Sequence, residues 1–133
     1  MGGGAVIQLC HLPALQALPE IQIPFIVDPS EKIANEIYAL GFKGEVIKLP
    51  FEEFLTLGRW DSRLDAVIVA LPNWLHERAT CLALEHGLHV LCEKPIALTV
   101  DACERICVAE KKSGKKLAVG MIRQRKQGLN VSW

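Results

Sequence analysis

The sequence has 133 residues, half of them hydrophobic and 23% charged, which is the size and composition of one globular domain. Fifteen basic and fifteen acidic residues give a formal net charge of zero, so the charge balance favours neither nucleic acid nor an anionic membrane as a partner. The chain opens with no signal peptide pattern, and its apolar runs are too short to span a bilayer. These features predict a cytoplasmic protein.

The cysteines argue against a disulfide framework. Their number is odd, none forms a C-x-x-C pair, and most lie in apolar runs, a pattern that favours reduced, buried thiols. Cys103 and Cys107 are four residues apart in a predicted helix, but no histidine or carboxylate stands where it would complete a metal site. We therefore predict packing roles and no bound metal for the five positions, Cys10, Cys81, Cys92, Cys103 and Cys107.

Apolar runs alternate along the chain with segments of helical period. In chain order, we predict helix 5–18, strand 23–27, helix 30–40, strand 45–49, strand 65–71, helix 74–86, strand 88–92, helix 99–113 and strand 116–121. The clearest strand, 65–71, is almost entirely apolar and rich in β-branched residues, as is typical of a strand buried on both faces in a parallel sheet. The alternation predicts an α/β fold with a doubly wound, Rossmann-like parallel sheet.

The start of the chain departs from that fold. Met1 and three glycines lead directly into the first predicted helix, whereas the first strand of a doubly wound sheet is its central one. We therefore expect this first strand to be absent, so that its two neighbours lack their shared ladder partner. The expected organisation is one dinucleotide-binding domain over residues 1–123, no second domain, and an irregular basic tail over residues 124–133.

The glycines and an aspartate predict a dinucleotide site. Gly2 and Gly4, with Ala5 beside them, lie in the first strand-to-helix turn, where a pyrophosphate can approach backbone N–H groups at a helix N-terminus. Ile7 stands where the G-x-G-x-x-G/A pattern has a small residue, so the glycines alone are an ambiguous signal. Asp28 follows Gly4 by 24 residues and lies at a strand end. A carboxylate in this position accepts hydrogen bonds from both ribose hydroxyls of an adenosine and repels a 2′-phosphate. The predicted cofactor is NAD rather than NADP, and a turn-forming Asp-Pro is the alternative.

A lysine between Glu93 and Pro95 is the candidate catalytic residue. It follows the predicted strand 88–92, and ligands of open α/β sheets bind at the carboxyl ends of the strands. The proline biases Lys94 towards an extended conformation, which directs its amino group near where a nicotinamide would lie. Such a lysine orients a substrate hydroxyl and assists its proton transfer during hydride loss. A surface lysine in a loop is the alternative.

Further candidates stand at the same predicted edge of the sheet. Leu71, Pro72 and Asn73 end the strand 65–71, and His76 begins the helix that follows. A lone histidine on a helix is often structural, so a structural and a functional role for His76 both stay open. Arg123 follows the last predicted strand. The remaining histidines have no supporting pattern and are predicted to be structural: His11, His86 and His89.

Four segments taken together, residues 2–15, 27–29, 65–76 and 87–95, resemble the Gfo/Idh/MocA oxidoreductase family, and the similarity extends to about residue 123. The most specific part is the Glu93-Lys94-Pro95 segment, and the Pro-Asn-x-x-His segment supports it. The resemblance implies the N-terminal NAD(P)-binding Rossmann domain of an enzyme that oxidises a sugar, a polyol or a related alcohol. It implies the following positions: Gly2 and Gly4 at the pyrophosphate, Asp28 at the adenosine ribose, Pro72, Asn73 and His76 along the cofactor, and Lys94 beside the nicotinamide and the substrate.

The resemblance also implies a second domain with the substrate pocket and an Asp/His catalytic pair, which we do not find in these residues. We therefore expect an incomplete form of the enzyme that does not turn over on its own. Two alternatives remain: a non-catalytic dinucleotide-binding or interaction module, and a non-functional gene fragment. Self-association as a homo-oligomer is left open.

Overall fold

Parallel strands alternate with helices through the chain. The structure is a computed structural model that describes residues 1–58 and 63–120. Its strands are β1 (Phe25–Val27), β2 (Glu45–Ile47), β3 (Ala66–Val69), β4 (His89–Glu93) and β5 (Leu117–Gly120). Its α-helices are α1 (Leu12–Gln16), α2 (Glu31–Ala39), α3 (Phe51–Leu57), α4 (His76–Glu85) and α5 (Val100–Ser113). The predicted α/β, Rossmann-like fold is confirmed.

Polar caps and glycines set the helix ends that the sequence indicated. The Ser30 hydroxyl accepts a hydrogen bond from the Ile33 N–H at the start of α2, and the Thr99 hydroxyl accepts one from the Ala102 N–H at the start of α5. Such caps satisfy N–H groups that have no partner within the helix. Gly114, with a φ of 67°, ends α5 in the left-handed conformation, which glycine adopts without steric cost.

The first helical segment is irregular. Residues 5–6 are helical, Ile7–His11 form a π-helix, and the chain continues directly into α1. A π-helix accommodates an extra residue per turn, and such turns are frequent at functional sites. Ile7 is buried in the core cluster that also contains Ile26 and Ile37.

Helix α3 was not indicated by the sequence pattern. Its buried residues Phe51, Phe54 and Leu55 follow the i, i+3, i+4 spacing of an apolar helix face. The helix has only seven residues, between Pro50 and Gly58, so it is too short for a clear periodic signal. Its burial nonetheless places Leu55 in the main core, with Val69, Leu84 and Cys92.

The strands fall into two hydrogen-bonded groups, β1–β2 and β3–β4–β5, and all pairs are parallel. Met1 and Gly2 connect the two groups through hydrogen bonds of the backbone. The Met1 amino group donates to the Ile68 carbonyl, the Met1 carbonyl accepts from the Ala70 N–H, and the Gly2 N–H donates to the Val27 carbonyl. Met1 and Gly2 therefore lie between the carboxyl ends of β1 and β3.

A cavity of about 660 Å³ lies between the two groups of strands, lined by β1, by β3 and by the first helical segment. We call it the inter-sheet groove. The expectation that the third strand is buried on both faces is wrong for most of it: Ala66 is exposed, Val67 and Ile68 are half-buried, and only Val69 is fully buried. The reason is that β3 has a neighbour only on its β4 side over most of its length.

The cysteines are free thiols, but their burial was overestimated. Cys92 on β4 is fully buried, whereas Cys10 and Cys107 are exposed and the other two are intermediate. Hydropathy around a cysteine does not determine which side of its helix faces the core. Burial raises the pKa of the Cys92 thiol, so this cysteine contributes to packing as an apolar residue.

The buried amino group of Met1 predicts a pH-dependent stability. Desolvation lowers its pKa from 8.0 to about 6, with a smaller opposing effect of Asp28. The unfolded chain therefore binds more protons than the folded chain between pH 6 and 8, so the free energy of unfolding rises with pH across that window. We expect a gain of up to about 3 kcal/mol for a shift of this size. Urea denaturation at pH 6, 7 and 8 measures it, and a flat profile contradicts the buried amine.

No helix within residues 1–58 and 63–120 is both long enough and apolar enough to cross a membrane. The predictions for Arg123 and for the tail 124–133 lie outside the described residues, as does Met121 at the end of the last predicted strand.

Candidate functional site

The glycine turn is built so that its first glycine cannot be replaced. Gly2 has a φ of 87°, which L side chains rarely adopt, and a Cβ at this position would lie 2.3 Å from the Ala70 carbonyl oxygen. Its N–H donates to the Val27 carbonyl at 2.8 Å. The turn is therefore packed against both neighbouring strand ends, and only glycine fits.

Gly3 packs against the side chains of helix α2. A Cβ here would lie 2.5 Å from Ile33 and 2.7 Å from Ile37 on α2. The Gly3 N–H donates to the Asp28 carboxylate at 2.9 Å. This glycine was not among the predicted site residues, although three consecutive glycines were a visible signal. Its close packing holds the turn against α2 and leaves the remaining glycine to face outwards.

Gly4 faces open space. A Cβ at this position would have no neighbouring atom within 4 Å, and the exposed Ala5 begins the first helical segment. The first N–H groups of a helix have no intrahelical partner and attract anions. Open space over a glycine at such a terminus fits the close approach of a pyrophosphate, so the residues that are present suit a dinucleotide.

Asp28 lies directly after β1 and next to the glycine turn. Its Oδ2 accepts the Gly3 N–H and its Oδ1 accepts the Ser30 N–H, both at 2.9 Å. These contacts fix the half-buried carboxylate, and each oxygen keeps a further acceptor site. The arrangement brings two predicted features, the glycine turn and the strand-end aspartate, into one constellation.

His76 connects two further segments that were predicted to lie at the site. Its side chain is buried, with Nδ1 2.7 Å from the Pro95 carbonyl and Nε2 2.8 Å from the Leu71 carbonyl. Each carbonyl only accepts, so the neutral ring donates to one of them and the imidazolium donates to both. The contacts hold the turn after β3 against the turn after β4, while Pro72 and Asn73 are exposed at that edge. A direct contact between His76 and a cofactor stays a prediction.

Glu93 ends β4 and has a partner that the sequence did not indicate. His11 Nε2 lies 2.7 Å from Glu93 Oε1, and both side chains are largely buried. Glu93 Oε2 accepts the Lys94 N–H at 3.3 Å. Lys94 itself is exposed, and the Lys94–Pro95 peptide bond is cis. His11 was expected to be structural because nothing in its local sequence relates it to a residue 82 positions away.

The fold and this edge of the sheet define the class of protein: a Rossmann-fold nucleotide-binding domain with its glycine turn, acidic residue and lysine at the carboxyl ends of parallel strands. The sequence profile described as "Oxidoreductase family, NAD-binding Rossmann fold" matches residues 1–121. The chain belongs to this family, the Gfo/Idh/MocA oxidoreductases.

Two curated relatives illustrate the similarity. An inositol 2-dehydrogenase/D-chiro-inositol 3-dehydrogenase of Shouchella clausii is 47% identical over 126 residues, which cover 93% of this chain and 35% of that protein. A D-glucoside 3-dehydrogenase of Escherichia coli is 46% identical over 54 residues, covering 41% of this chain and 15% of that protein. The chain spans about a third of the first of these relatives.

Solved structures show the same fold. KijD10, a 3-ketoreductase from Actinomadura kijaniata in complex with NADP and TDP-benzene, superimposes with a TM-score of 0.77 and 29% identity, covering 90% of this chain and 35% of that chain. GenD2 from gentamicin A biosynthesis, in complex with NAD, has a TM-score of 0.75 and 28% identity, covering 90% and 32%. The chain is thus a NAD-binding Rossmann domain by family and by fold.

Proposed function

We propose that this chain is the nucleotide-binding part of an oxidoreductase that acts on a CH–OH group of a sugar, a polyol or a related substrate, with NAD preferred over NADP. The observation that carries the proposal is the open space over Gly4 beside the fixed carboxylate of Asp28. The relatives named as inositol and glucoside dehydrogenases support the substrate class.

The proposal assigns a part of the cofactor to each segment of the edge. Gly2, Gly4 and Ala5 form the turn for the pyrophosphate, and Asp28 accepts the ribose hydroxyls. A carboxylate fixed in this position repels a 2′-phosphate, which gives the preference for NAD. We assign three exposed or half-buried residues to the part of the cofactor between the adenosine ribose and Lys94: Leu71, Pro72 and Asn73.

We assign the proton transfer of the reaction to Lys94, at the opposite end of the site from the adenosine ribose. NAD, when bound, supplies the hydride acceptor. The Lys94 amino group orients the substrate hydroxyl and assists the transfer of its proton. Glu93 and Pro95 hold the backbone on either side of Lys94. Lys94 follows a strand whose core residues Val90 and Cys92 are fully buried, so the lysine projects from a rigid support.

We further propose that the protein works in the cytoplasm. Cys10 and Cys107 are exposed free thiols, and exposed thiols persist in reducing compartments.

Replacing Asp28 by asparagine tests the cofactor preference. We expect the affinity for NADH to fall about tenfold, because charged hydrogen bonds contribute about 1.5–3 kcal/mol each, and the ratio of NADPH to NADH affinity to rise. Fluorescence titration with each nucleotide gives both constants. Asp65→Asn removes an equal charge from an exposed residue at the opposite end of β3 and serves as the matched control. An unchanged nucleotide ratio in Asp28→Asn would contradict the assignment.

A further inference from the structure

The contact between His11 and Glu93 links two parts of the site that are remote in sequence. His11 lies in the π-helical turn of the first helical segment, and Glu93 is the last residue of β4. The nitrogen and oxygen are 2.7 Å apart, and the side chains are 19% and 15% exposed. A carboxylate only accepts, so the ring carries its proton on Nε2 and donates it to Glu93. Partial burial makes this contact stronger than a comparable pair on the surface.

The same carboxylate lies beside the end of β5. A Cβ at Gly120 would lie 2.9 Å from Glu93 Oε1 and 3.1 Å from its Cδ, so the absence of a side chain at Gly120 makes room for the carboxylate. Glu93 therefore binds His11 of one element and lies beside the end of another, at Gly120. The hydrogen bond to His11 limits the orientations that the carboxylate can adopt.

The Glu93 carboxylate also binds the segment that contains Lys94. Glu93 Oε2 accepts the Lys94 N–H, and Glu93 Oε1 contacts His11. One carboxylate thus links the first helical segment to Lys94, the residue proposed to assist the transfer of the substrate proton. We propose that His11 is a positioning residue: through Glu93 it fixes the Lys94 segment relative to the helix that receives the pyrophosphate. The inference rests on the proposed function for its purpose, but its geometry is independent of any ligand.

The arrangement implies coupling between the two ends of the site. A nucleotide that orders the first helical segment also orders Lys94 through His11 and Glu93. By thermodynamic reciprocity, a change that loosens the lysine segment weakens nucleotide binding.

Amide hydrogen exchange at Lys94, followed by NMR on the full chain without nucleotide, tests the proposal. In His11→Ala we expect exchange of the Lys94 amide to accelerate at least fivefold while the amides of Val90 and Ile106 in the core keep their rates. In His11→Gln, whose side-chain N–H has a similar reach, we expect the rate to return to within twofold of the parent chain. His89→Ala is the matched control, because His89 accepts a backbone N–H from Lys116 at the opposite end of β4.

Two results would overturn the proposal: an unchanged Lys94 rate in His11→Ala, or an equal acceleration in His89→Ala, which would indicate general loosening. If His11→Ala does not fold, His11→Phe, whose ring has a similar size but no N–H to donate, is compared with the parent chain, and an unchanged rate there overturns the proposal as well. NADH is then added to the parent chain and to His11→Ala. Absence of NADH binding in the parent would refute the proposed function while leaving the exchange result, and hence the positioning role, intact.

Discussion

Replacing Gly2 by alanine is expected to destabilise the folded chain by about 4 kcal/mol, from a strained left-handed backbone and an overlap in a packed region. The overlap is with backbone: the new Cβ would lie 2.3 Å from the Ala70 carbonyl oxygen and 2.9 Å from its carbon, which cannot move without disturbing the end of β3. The hydrogen bond from the Gly2 N–H to Val27 would be strained at the same time. Urea denaturation measures the loss, and NADH binding is expected to disappear with the fold.

Gly4→Ala is the companion variant that separates folding from binding. Its Cβ would enter open space, so we expect the free energy of unfolding to stay within about 0.5 kcal/mol of the parent chain, as for other unconstrained surface positions. The same methyl group would occupy the space that the pyrophosphate needs, so NADH affinity is expected to fall at least tenfold. Parent-like NADH binding by Gly4→Ala would show that the phosphates do not lie over this residue.

Adding an apolar strand of four residues in front of Met1 is expected to stabilise the chain by about 3 kcal/mol, because burying each apolar side chain contributes about 1.5–3 kcal/mol against an ordering cost of about 1–2 kcal/mol per residue. The inter-sheet groove has two strand edges to receive it. The Asp65 carbonyl bonds to β4, so Ala66 and Ile68 direct their backbone groups into the groove. The Pro24 carbonyl bonds to β2, so Phe25 and Val27 direct their backbone groups into the groove from the other side.

The experiment compares two extensions of four residues, Val-Ile-Val-Ile and Gly-Pro-Ser-Pro, each fused directly before Met1. The first forms a strand of about 13 Å at the usual rise per residue. The second has no large apolar side chain, and its two prolines have no backbone N–H to donate. Equal stabilities for the two fusions would show that the groove does not accept a strand. Both fusions also remove the buried amino group, so both should abolish the rise in stability between pH 6 and 8.

Residues at strand ends could be predicted from the sequence because two local patterns determine them. An apolar run marks a strand of a parallel sheet, and the residue after it lies at the edge where ligands bind. Asp28 and Lys94 were predicted as site residues in this way, and each directly follows a strand in the structure. Asp28 also lies against the glycine turn. The different roles of the three glycines could not be predicted from the sequence. Each role depends on what a Cβ at that position would meet: the Ala70 carbonyl, the side chains of α2, or open space.

Contacts between distant segments account for most of what sequence reasoning missed. The partner of His11 is 82 residues away, and the two partners of His76 belong to different turns. No periodicity or motif encodes such pairs. The overestimate of burial on β3 has a related cause, since burial of a strand depends on its neighbours as well as on its own apolar residues.

Calorimetric titration of the chain with NADH, with folding verified by circular dichroism on the same sample, tests the central claim most directly. We predict saturable binding of one NADH per chain, with weaker binding of NADPH. A folded chain that releases no saturable heat with NADH, and whose tryptophan fluorescence does not respond to it, would contradict the assignment of this domain as a nucleotide-binding unit.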